Sequence, residues 1–484
     1  MNELCSLHCH TEYSNALLGF PDSVNKLEDF IQEAYNLGLK GVSITEHEGI
    51  MSHVKAIKFL QKAKKEEVIS QDFKLLLGNE IYLMTENEDL KNRNNEEDRT
   101  QYYHFLLNAL DVEGHKQIRL LSDRAWRRAY TYRGLMRRPT YYTDIEEIIA
   151  SNQGHVVAST ACLGGYLAQH ILQWKQNNDL DAKMKVAEFM RWGLRVFGQD
   201  NFYLEIQPCN ADNEEQIIVN KTLDYISQRT GIKLIVTTDA HYLNKEKAFV
   251  HKTLLNSKDG DREVDSFYAT AYLMGAQELR DYLRLTFTDD RIDELFQNTV
   301  DITNRSVFYD FEHAPQIPQL PKGEIPEFKI QHRYKEYYDE FEEFKYYAYI
   351  DNLEDSYFFY KIEQGLYALI EQKGKNTKVY IERLNNEFRE LRLISEAFDS
   401  SMASYYVTMN KIIDLIWATD SLSMPARGSS AGFLVCYLLE ITQIDPVPLG
   451  DYFPFWRHLS AERDKEIADI DSDSPSTKRK EIIE

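Results

Sequence analysis

Segments typical of β-strands alternate with segments typical of amphipathic helices over the first 265 residues, and this limits the possible folds. Short apolar runs bounded by turn residues predict strands at 4–7, 41–45, 74–83, 103–108, 155–160, 201–207 and 232–238. Helical spacing of apolar residues separates most of them, as at 179–198 and 213–230. Strands that alternate with helices usually form parallel sheets, so the pattern predicts an α/β barrel or barrel-like sheet.

Side chains that commonly bind metals lie at or just after the ends of these strands. Residues i and i+2 of a strand point to one face, so His8 and His10 can direct two ligands at one site. The same spacing relates Asp239 to His241. The other candidates along the chain are His47, Glu80, His104 and Cys162. Each is weak evidence alone, but their joint placement at successive strand ends predicts a metalloenzyme.

The types of these ligands limit the metals and the chemistry. Imidazole, carboxylate and thiolate together suit zinc or manganese better than calcium. A catalytic zinc ion takes about three or four protein ligands, so a set of this size would serve two or three ions. Two neighbouring cations suit the cleavage of a phosphoester, because they stabilise the attacking and the leaving oxygen.

Length and composition are those of a globular protein with two or three domains. The chain has 484 residues, 43% of them hydrophobic, and no apolar run reaches the roughly 18 residues of a membrane span. Its five cysteines follow no framework spacing, which indicates reduced thiols and a cytoplasmic location. The formal net charge of −22 counts against a protein that simply coats duplex nucleic acid.

Arginines and aromatic residues alternate over residues 124–138 and could form a local basic patch. Arg124, Arg127 and Arg128 have the spacing of one helical face. The other members are Arg133, Arg137 and Arg138, with Trp126, Tyr130 and Tyr132 between them. A nucleic-acid contact and an ordinary solvated face are about equally favoured.

The second half of the chain contains a proline-rich tract and a long helical region. Residues 313–326 hold four prolines and predict an extended linker. Residues 330–420 are acidic, rich in tyrosine and helical in period. We interpret their aromatic residues as the core between packed helices rather than as a stacking platform, namely Tyr337, Tyr338, Phe341, Phe344 and Tyr347.

Two further motifs lie near the C-terminal end. The segment Arg427-Gly428-Ser429-Ser430-Ala431-Gly432 precedes an apolar helix at 433–441, and glycine and serine at such a turn can hold phosphate. About forty residues later, Asp469, Asp471 and Asp473 alternate and would share one face of a strand. Taken alone, the first is a common turn and the second an acidic surface loop.

The order of the N-terminal motifs resembles the polymerase-and-histidinol-phosphatase (PHP) domain. The most specific similarities, to that domain in the bacterial DNA polymerase III alpha subunit, are Gly78-Asn79-Glu80-Ile81-Tyr82, Ser159-Thr160-Ala161-Cys162-Leu163 and Thr238-Asp239-Ala240-His241-Tyr242. The resemblance implies a distorted (β/α)7 barrel with metal ligands at His8, His10, His47, Glu80, His104, Cys162, Asp239 and His241. It implies a ninth, acidic ligand at Asp22, after a loop that is longer than usual. A 3′–5′ exonuclease or phosphoesterase is expected, with purely structural metal binding as the alternative.

The C-terminal motifs resemble the palm of the same polymerase family, and they occur in the same order. Ile444-Asp445-Pro446 and Phe455-Trp456-Arg457-His458-Leu459 also match it, whereas Ala468 replaces the usual proline. The resemblance implies an α+β palm in which Asp469 and Asp471 hold magnesium. It implies that the incoming nucleotide is bound by Arg427, Gly428, Ser429, Ser430 and Arg457.

We therefore expect the N-terminal portion of a template-directed DNA polymerase, with a PHP domain at 1–265, connecting helices and linker at 266–330, and an incomplete palm at 331–484. The implied partners are primer–template DNA, deoxynucleoside triphosphates, a C-terminal polymerase part and replisome proteins, with no membrane.

We expect that the chain alone cannot extend a primer. The short length and an asparagine-rich early loop favour a phage version. The alternatives are a free-standing PHP-family phosphoesterase and a metal-braced scaffold without activity.

Overall fold

The computed structural model describes residues 3–18, 21–94, 101–132, 135–257, 268–313, 316–463 and 467–483. The chain forms two compact units that divide between Phe311 and Glu312. The boundary expected at residue 265 lies outside the described residues, as do Arg133 and Pro315. The domain limits given above therefore stay predictions.

Strands and helices alternate in the first unit, as predicted. Its strands are β1 (Cys5–Ser6), β2 (Gly41–Ile44), β3 (Lys74–Met84), β4 (Tyr103–Ala109), β5 (Tyr130–Tyr132), β6 (Leu135–Arg137), β7 (Pro139–Tyr141), β8 (Val156–Ser159), β9 (Phe202–Ile206) and β10 (Leu234–Val236). Its helices are α1 (Glu12–Leu18), α2 (Leu27–Asn36), α3 (His53–Lys65), α4 (Glu86–Arg93), α5 (Val112–Arg127), α6 (Tyr142–Ile145, continued by a π-helix, Glu146–Ala150), α7 (Tyr166–Asn177), α8 (Leu180–Phe197), α9 (Glu214–Thr230), α10 (Ala248–Leu255, preceded by a 3₁₀ turn, Lys245–Lys247), α11 (Ala276–Leu283) and α12 (Asp289–Arg305).

The main sheet of the first unit runs in the order β1-β2-β3-β4-β8-β9-β10, and β7 pairs with β3. Most neighbours are parallel, but β4 runs antiparallel to both β3 and β8. The sheet is therefore mixed, whereas the sequence pattern predicted a parallel one. Hydrophobic periodicity locates strands but carries no information on the direction in which each strand runs.

The two ends of this sheet come close together. Just beyond β1 and β10, Cys9 and Ala240 form a parallel bridge, and the backbone N–H of His10 donates to the carbonyl of Ala240 at 3.0 Å. Helix α12 covers the same junction, because Thr299 accepts a bond from the backbone of β1 and Asn298 donates to the carbonyl of Leu234 in β10. The result is a nearly closed barrel, which confirms the predicted fold class for this unit.

The second unit is built from helices in the part of the chain that the structure describes. They are α13 (Glu342–Ala348), α14 (Leu353–Lys373), α15 (Thr377–Ala397), α16 (Met402–Ala418), α17 (Leu434–Leu438) and α18 (Arg479–Ile483), with 3₁₀ turns at Lys322–Glu324, Lys335–Tyr337, Gly428–Gly432, Val447–Tyr452, Phe455–Arg457 and Ala461–Arg463. Within the described residues, no helix of the protein is long and apolar enough to cross a membrane.

Aromatic side chains form much of the core of the second unit. Tyr338, Phe341, Phe344 and Tyr347 are buried among the helices, which confirms the interpretation as packing core. The tract expected to be an extended linker also joins this core, because Ile317 and Leu320 are buried there. A proline-rich composition favours extended backbone but does not prevent its apolar side chains from packing.

The strand expected at the alternating aspartates is absent, and the described residues of the second unit contain no strand. This corrects the expectation of an α+β segment. Residues 467–474 follow an irregular path, although Ala468 and Ile470 are buried while Asp469 and Asp471 are exposed. The alternation predicted from the sequence is therefore real, but among the described residues of this unit the segment has no neighbouring strand with which to form a ladder.

Candidate functional site

All nine predicted ligand residues of the first unit lie in one region at one end of the barrel, and all of them except His104 are buried. His8 and His10 follow β1, His47 follows β2, and Asp239 and His241 follow β10. Strand β4 carries His104 near its start and not at its end. Because β4 is antiparallel to β3, with His104 opposite Tyr82, its start lies beside the later part of β3.

Three overlapping groups of these side chains have their ligand atoms within 4.8 Å of one another. The groups are His10, Asp22, His47 and His241; His8, His10 and Asp239; and His47, Glu80 and His104. His10 and His47 each belong to two groups, so the groups form one continuous cluster. Asp22, which follows the longer loop noted in the sequence, belongs to the cluster: its Oδ2 lies 3.3 Å from His47 Nε2 and 3.2 Å from His241 Nε2.

The carboxylate of Glu80 lies at the centre of the cluster. Its Oε1 is 2.9 Å from His104 Nδ1 and 3.3 Å from His8 Nε2. Its Oε2 is 2.8 Å from His47 Nδ1 and 3.2 Å from His10 Nε2. Glu80 is fully buried and faces all of these imidazoles at once. Such a carboxylate can bridge two cations.

Cys162 lies at the edge of the cluster. Its Sγ is 3.5 Å from His104 Nδ1 and accepts a hydrogen bond from the backbone N–H of Gly164 at 3.4 Å. Burial raises the pKa of this thiol well above its usual range. A thiol in this state is a weak ligand unless a metal displaces its proton. Cys162 is the one predicted ligand outside the three groups formed by the described residues.

The charges of the cluster fit divalent cations. Burial raises the pKa of Asp22, but His241 and His47 outweigh this and hold it well below its usual range. Burial lowers the pKa of His47, and Glu80 and Asp22 reverse the effect and raise it. Asp22 Oδ2, Glu80 Oε2 and Asp239 Oδ1 are buried and contact imidazole nitrogens, but these contacts lack hydrogen-bond geometry. Three unsatisfied carboxylate oxygens in one buried pocket are costly unless a cation binds them.

Other buried side chains orient the ligands from behind, and sequence reasoning missed the most important of them. Glu205 Oε1 lies 2.7 Å from His8 Nδ1, and Glu205 also accepts hydrogen bonds from Ser159 and Thr237. The signal was available, because Glu205 is a single acid in the otherwise apolar strand β9. On the other side, Ser14 Oγ lies 3.2 Å from His10 Nδ1 and donates to Glu46.

The Gly-Ser motif of the second unit borders a cleft of about 810 Å³. The cleft is lined by Gly428, Ser429, Gly432, Tyr452, Phe453, Pro454, Trp456, Arg457, Ser460, Glu462 and Arg463. The hydroxyl of Ser430 does not face the cleft, because Ser430 is buried and donates to the carbonyl of Arg427. Of the predicted nucleotide contacts, Gly428, Ser429 and Arg457 thus line this cavity.

Buried polar side chains fix the wall of the cleft. His458 Nδ1 lies 3.1 Å from Ser429 Oγ, and His458 Nε2 lies 3.0 Å from Tyr406 Oη. Burial, with a smaller effect of Arg463, lowers the pKa of His458 to about 4, so this ring is neutral at pH 7. Nearby, Glu387 is fully buried and accepts from the backbone N–H groups of Leu434 and Val435. These contacts hold the motif at a fixed position.

The alternating aspartates lie next to the Gly-Ser motif and pair with it. Arg427 Nη1 is 2.7 Å from Asp473 Oδ1, and Arg427 Nε is 3.7 Å from Asp471 Oδ2. A Cβ added at Gly428 would lie 3.0 Å from Asp471 Oδ2, so the backbone approaches that carboxylate closely. Neither Asp469 nor Asp471 belongs to a group of potential metal ligands among the described residues. Their metal-binding role stays a prediction.

Most of the basic patch over residues 124–138 is neutralised. Arg124 pairs with Asp144 and Glu147, Arg127 with Asp123, Arg128 with Asp144, and Arg138 with Glu48. These ion pairs favour a structural interpretation for the four arginines.

Comparison with known proteins agrees with the geometry of both units. The PHP domain model matches residues 6–209, and the model of the bacterial DNA polymerase III alpha NTPase domain matches residues 356–484. The chain therefore contains a PHP domain and a segment of the bacterial DNA polymerase III alpha NTPase domain. This confirms the resemblance found in the sequence motifs.

Several DNA polymerases are similar to the chain over almost its whole length. A DNA-directed DNA polymerase of Bacillus phage SPbeta is 39% identical over 98% of this chain and 37% of that protein. The DNA polymerase III alpha subunits of Aquifex aeolicus and Helicobacter pylori strain 26695 are 27% and 29% identical, over 99% of this chain and 36% of each protein. The chain thus spans just over a third of the length of these relatives. A probable DNA polymerase of Bacillus subtilis strain 168 is equally similar, so the phage version stays a prediction.

Replacing Glu205 with glutamine should weaken metal binding, because the His8 ring loses the carboxylate that orients it. We expect the dissociation constant for Zn²⁺ or Mn²⁺ to rise by about 10- to 100-fold. Competition with a chromophoric chelator measures this. The control is Glu188→Gln, an exposed position on α8. Equal affinities for the two variants would contradict the orienting role of Glu205.

Proposed function

We propose that the barrel unit of this polymerase-family chain is a divalent-metal-dependent phosphodiesterase that removes nucleotides from the 3′ end of DNA. The observation that carries the proposal is the set of three overlapping ligand groups, with the Glu80 carboxylate among them. Three groups with shared members suit two or three neighbouring cations, which is the arrangement used to cleave phosphodiesters.

The ligand types favour zinc or manganese over magnesium in this cluster. One metal site would be formed by His10, Asp22, His47 and His241. His8 and Asp239 would contribute to a second metal site, and His104 to a third. Cys162 would join His104, 3.5 Å away. When bound, the cations would supply Lewis-acid polarisation of the phosphodiester and lower the pKa of a water molecule.

The protein contributes fixed ligand geometry and exclusion of bulk water. Glu205 holds His8 so that its Nε2 faces the cluster, and the Ser14–Glu46 pair does the same for His10. Because these supports are buried, the ligands are positioned before any metal or substrate binds. Preorganised ligands of this kind avoid the cost of ordering side chains during the reaction.

For the second unit, we propose part of a nucleotidyl-transfer site for template-directed DNA synthesis. Ser429 and Arg457 at the cleft would bind the triphosphate of the incoming nucleotide, and Asp469 and Asp471 would hold Mg²⁺. Arg427 would exchange its aspartate partners for phosphate oxygens once cations neutralise the carboxylates. The cleft volume of about 810 Å³ is sufficient for a nucleotide.

The proposed organisation follows the sequence: a PHP domain at 1–265, a connector at 266–330 and a palm segment at 331–484. The proposed partners are primer–template DNA, deoxynucleoside triphosphates, further polymerase sequence and replisome proteins. All five cysteines are free and buried, which supports a reducing, cytoplasmic setting.

Metal removal and one ligand substitution test the exonuclease. We expect the chain with Mn²⁺ to shorten 5′-labelled single-stranded DNA from its 3′ end, and a chelator to stop the reaction until Mn²⁺ is restored. His10→Ala should lower the rate at least about 100-fold, because His10 belongs to two ligand groups. Gel analysis of the labelled products measures both rate and polarity.

The matched control is His313→Ala, an exposed histidine that lies outside the barrel unit. A protein that binds metal but leaves DNA intact would indicate a metal-braced scaffold and overturn the exonuclease proposal. Cleavage that is unchanged by His10→Ala would overturn it as well.

A second test addresses the cleft. Arg457→Ala should weaken binding of a deoxynucleoside triphosphate about tenfold, because a charged hydrogen bond to phosphate is lost. Quenching of the exposed Trp456, which lines the same cleft, reports binding. Arg479→Ala, an exposed position on α18, is the control. Equal affinity in both variants would contradict the proposed triphosphate contact.

A further inference from the structure

One arginine in the basic stretch differs from its neighbours. Among the described arginines of residues 124–138, those with an acidic partner are Arg124, Arg127, Arg128 and Arg138. Arg137 forms no ion pair with any described carboxylate, and its buried Nε has no hydrogen-bond partner. The nearby acid Glu48 is already engaged, since it accepts from the backbone N–H of Arg138 at 3.0 Å. Arg137 therefore has its charge available for a ligand.

Two tyrosine rings hold the guanidinium of Arg137. Its central carbon lies 4.6 Å from the ring centroid of Tyr102 and 5.5 Å from that of Tyr82. Stacking on aromatic rings fixes a guanidinium plane and leaves its N–H groups free to donate. Tyr102 is itself held by a hydrogen bond to Tyr130. Arg137 is thus positioned by aromatic rings, while its Nε has no hydrogen-bond acceptor among the described residues.

The same aromatic frame joins Arg137 to the metal cluster. The Tyr82 ring stacks on the His104 ring, with centroids 5.0 Å apart and an interplanar angle of 27°. The centroid of Tyr82 is also 5.9 Å from that of His47. One ring therefore separates the free guanidinium from two predicted metal ligands.

We propose that Arg137 binds a backbone phosphate of a single-stranded nucleic acid whose terminal phosphodiester lies at the metal cluster. The inference rests on the proposed function and adds a binding residue that favours its substrate, a polynucleotide end, over a small phosphate ester. A guanidinium matches phosphate with two parallel N–H donors, and it carries no sequence information. The chain has a net charge of −22 and would repel a nucleic acid strand, and the positive charge of Arg137 beside the cluster offsets part of that repulsion.

Binding of a cleavage-resistant phosphorothioate oligothymidylate, followed by fluorescence anisotropy in Mn²⁺ at several salt concentrations, tests this. Arg137→Gln should weaken binding about tenfold and reduce the slope of log affinity against log salt by about 0.7, the value for one phosphate contact on a single strand. Arg137→Lys should recover the slope but only part of the affinity, because an ammonium cannot form the paired donors.

The control is Arg127→Gln, which removes an equal charge from an exposed, ion-paired position on the same stretch. Thermal midpoints of all variants exclude unfolding as a cause. If Arg137→Gln and Arg127→Gln bind the oligonucleotide equally, the guanidinium only braces the tyrosines and the proposal is overturned.

Substrate size separates this proposal from the proposed function. We expect Arg137→Gln to lower the ratio of oligonucleotide cleavage to bis(p-nitrophenyl) phosphate hydrolysis about tenfold. An equal fall for both substrates would place Arg137 at the reacting phosphate and contradict a role on the neighbouring one. If the unaltered chain cleaves neither substrate but the binding difference persists, the exonuclease proposal fails while the phosphate site stands.

Discussion

Electrostatic crowding in the barrel unit is the constraint on which the rest of the site depends. Asp22, Glu80 and Asp239 are buried in one pocket, and each has an oxygen without a hydrogen-bond partner. Ion pairs with imidazole relieve part of this cost, but such rings must then be protonated while buried. Divalent cations remove the conflict, because they satisfy the carboxylates and bind neutral imidazoles.

Barrel closure is what brings these groups together. The bridge between Cys9 and Ala240 places the segments after β1 and β10 side by side, so His8 and His10 face Asp239 and His241. Residues far apart in the chain thus meet because the first and last strands of the sheet meet. Glu205 from β9 then fixes His8 from the interior of the barrel.

Much of this could be predicted from the sequence, and the gaps have physical reasons. Strand positions and the ligand set follow from periodicity and from residue types at strand ends. The direction of β4 could not be predicted, because alternation is the same in either direction. Glu205 was not predicted because it lies within strand β9 and not at a strand end, although a lone acid inside an apolar strand is an equally strong signal. The pairing of Arg427 with Asp473 depends on tertiary contact, which no local pattern contains.

The location of bound metal tests the central claim most directly. Crystals of the chain grown with Mn²⁺ and measured at the manganese absorption edge should show two or three anomalous peaks. They should lie among the His10–Asp22–His47–His241, His8–His10–Asp239 and His47–Glu80–His104 groups. A pocket without anomalous peaks, in which the imidazoles bond only to the carboxylates, would contradict the account.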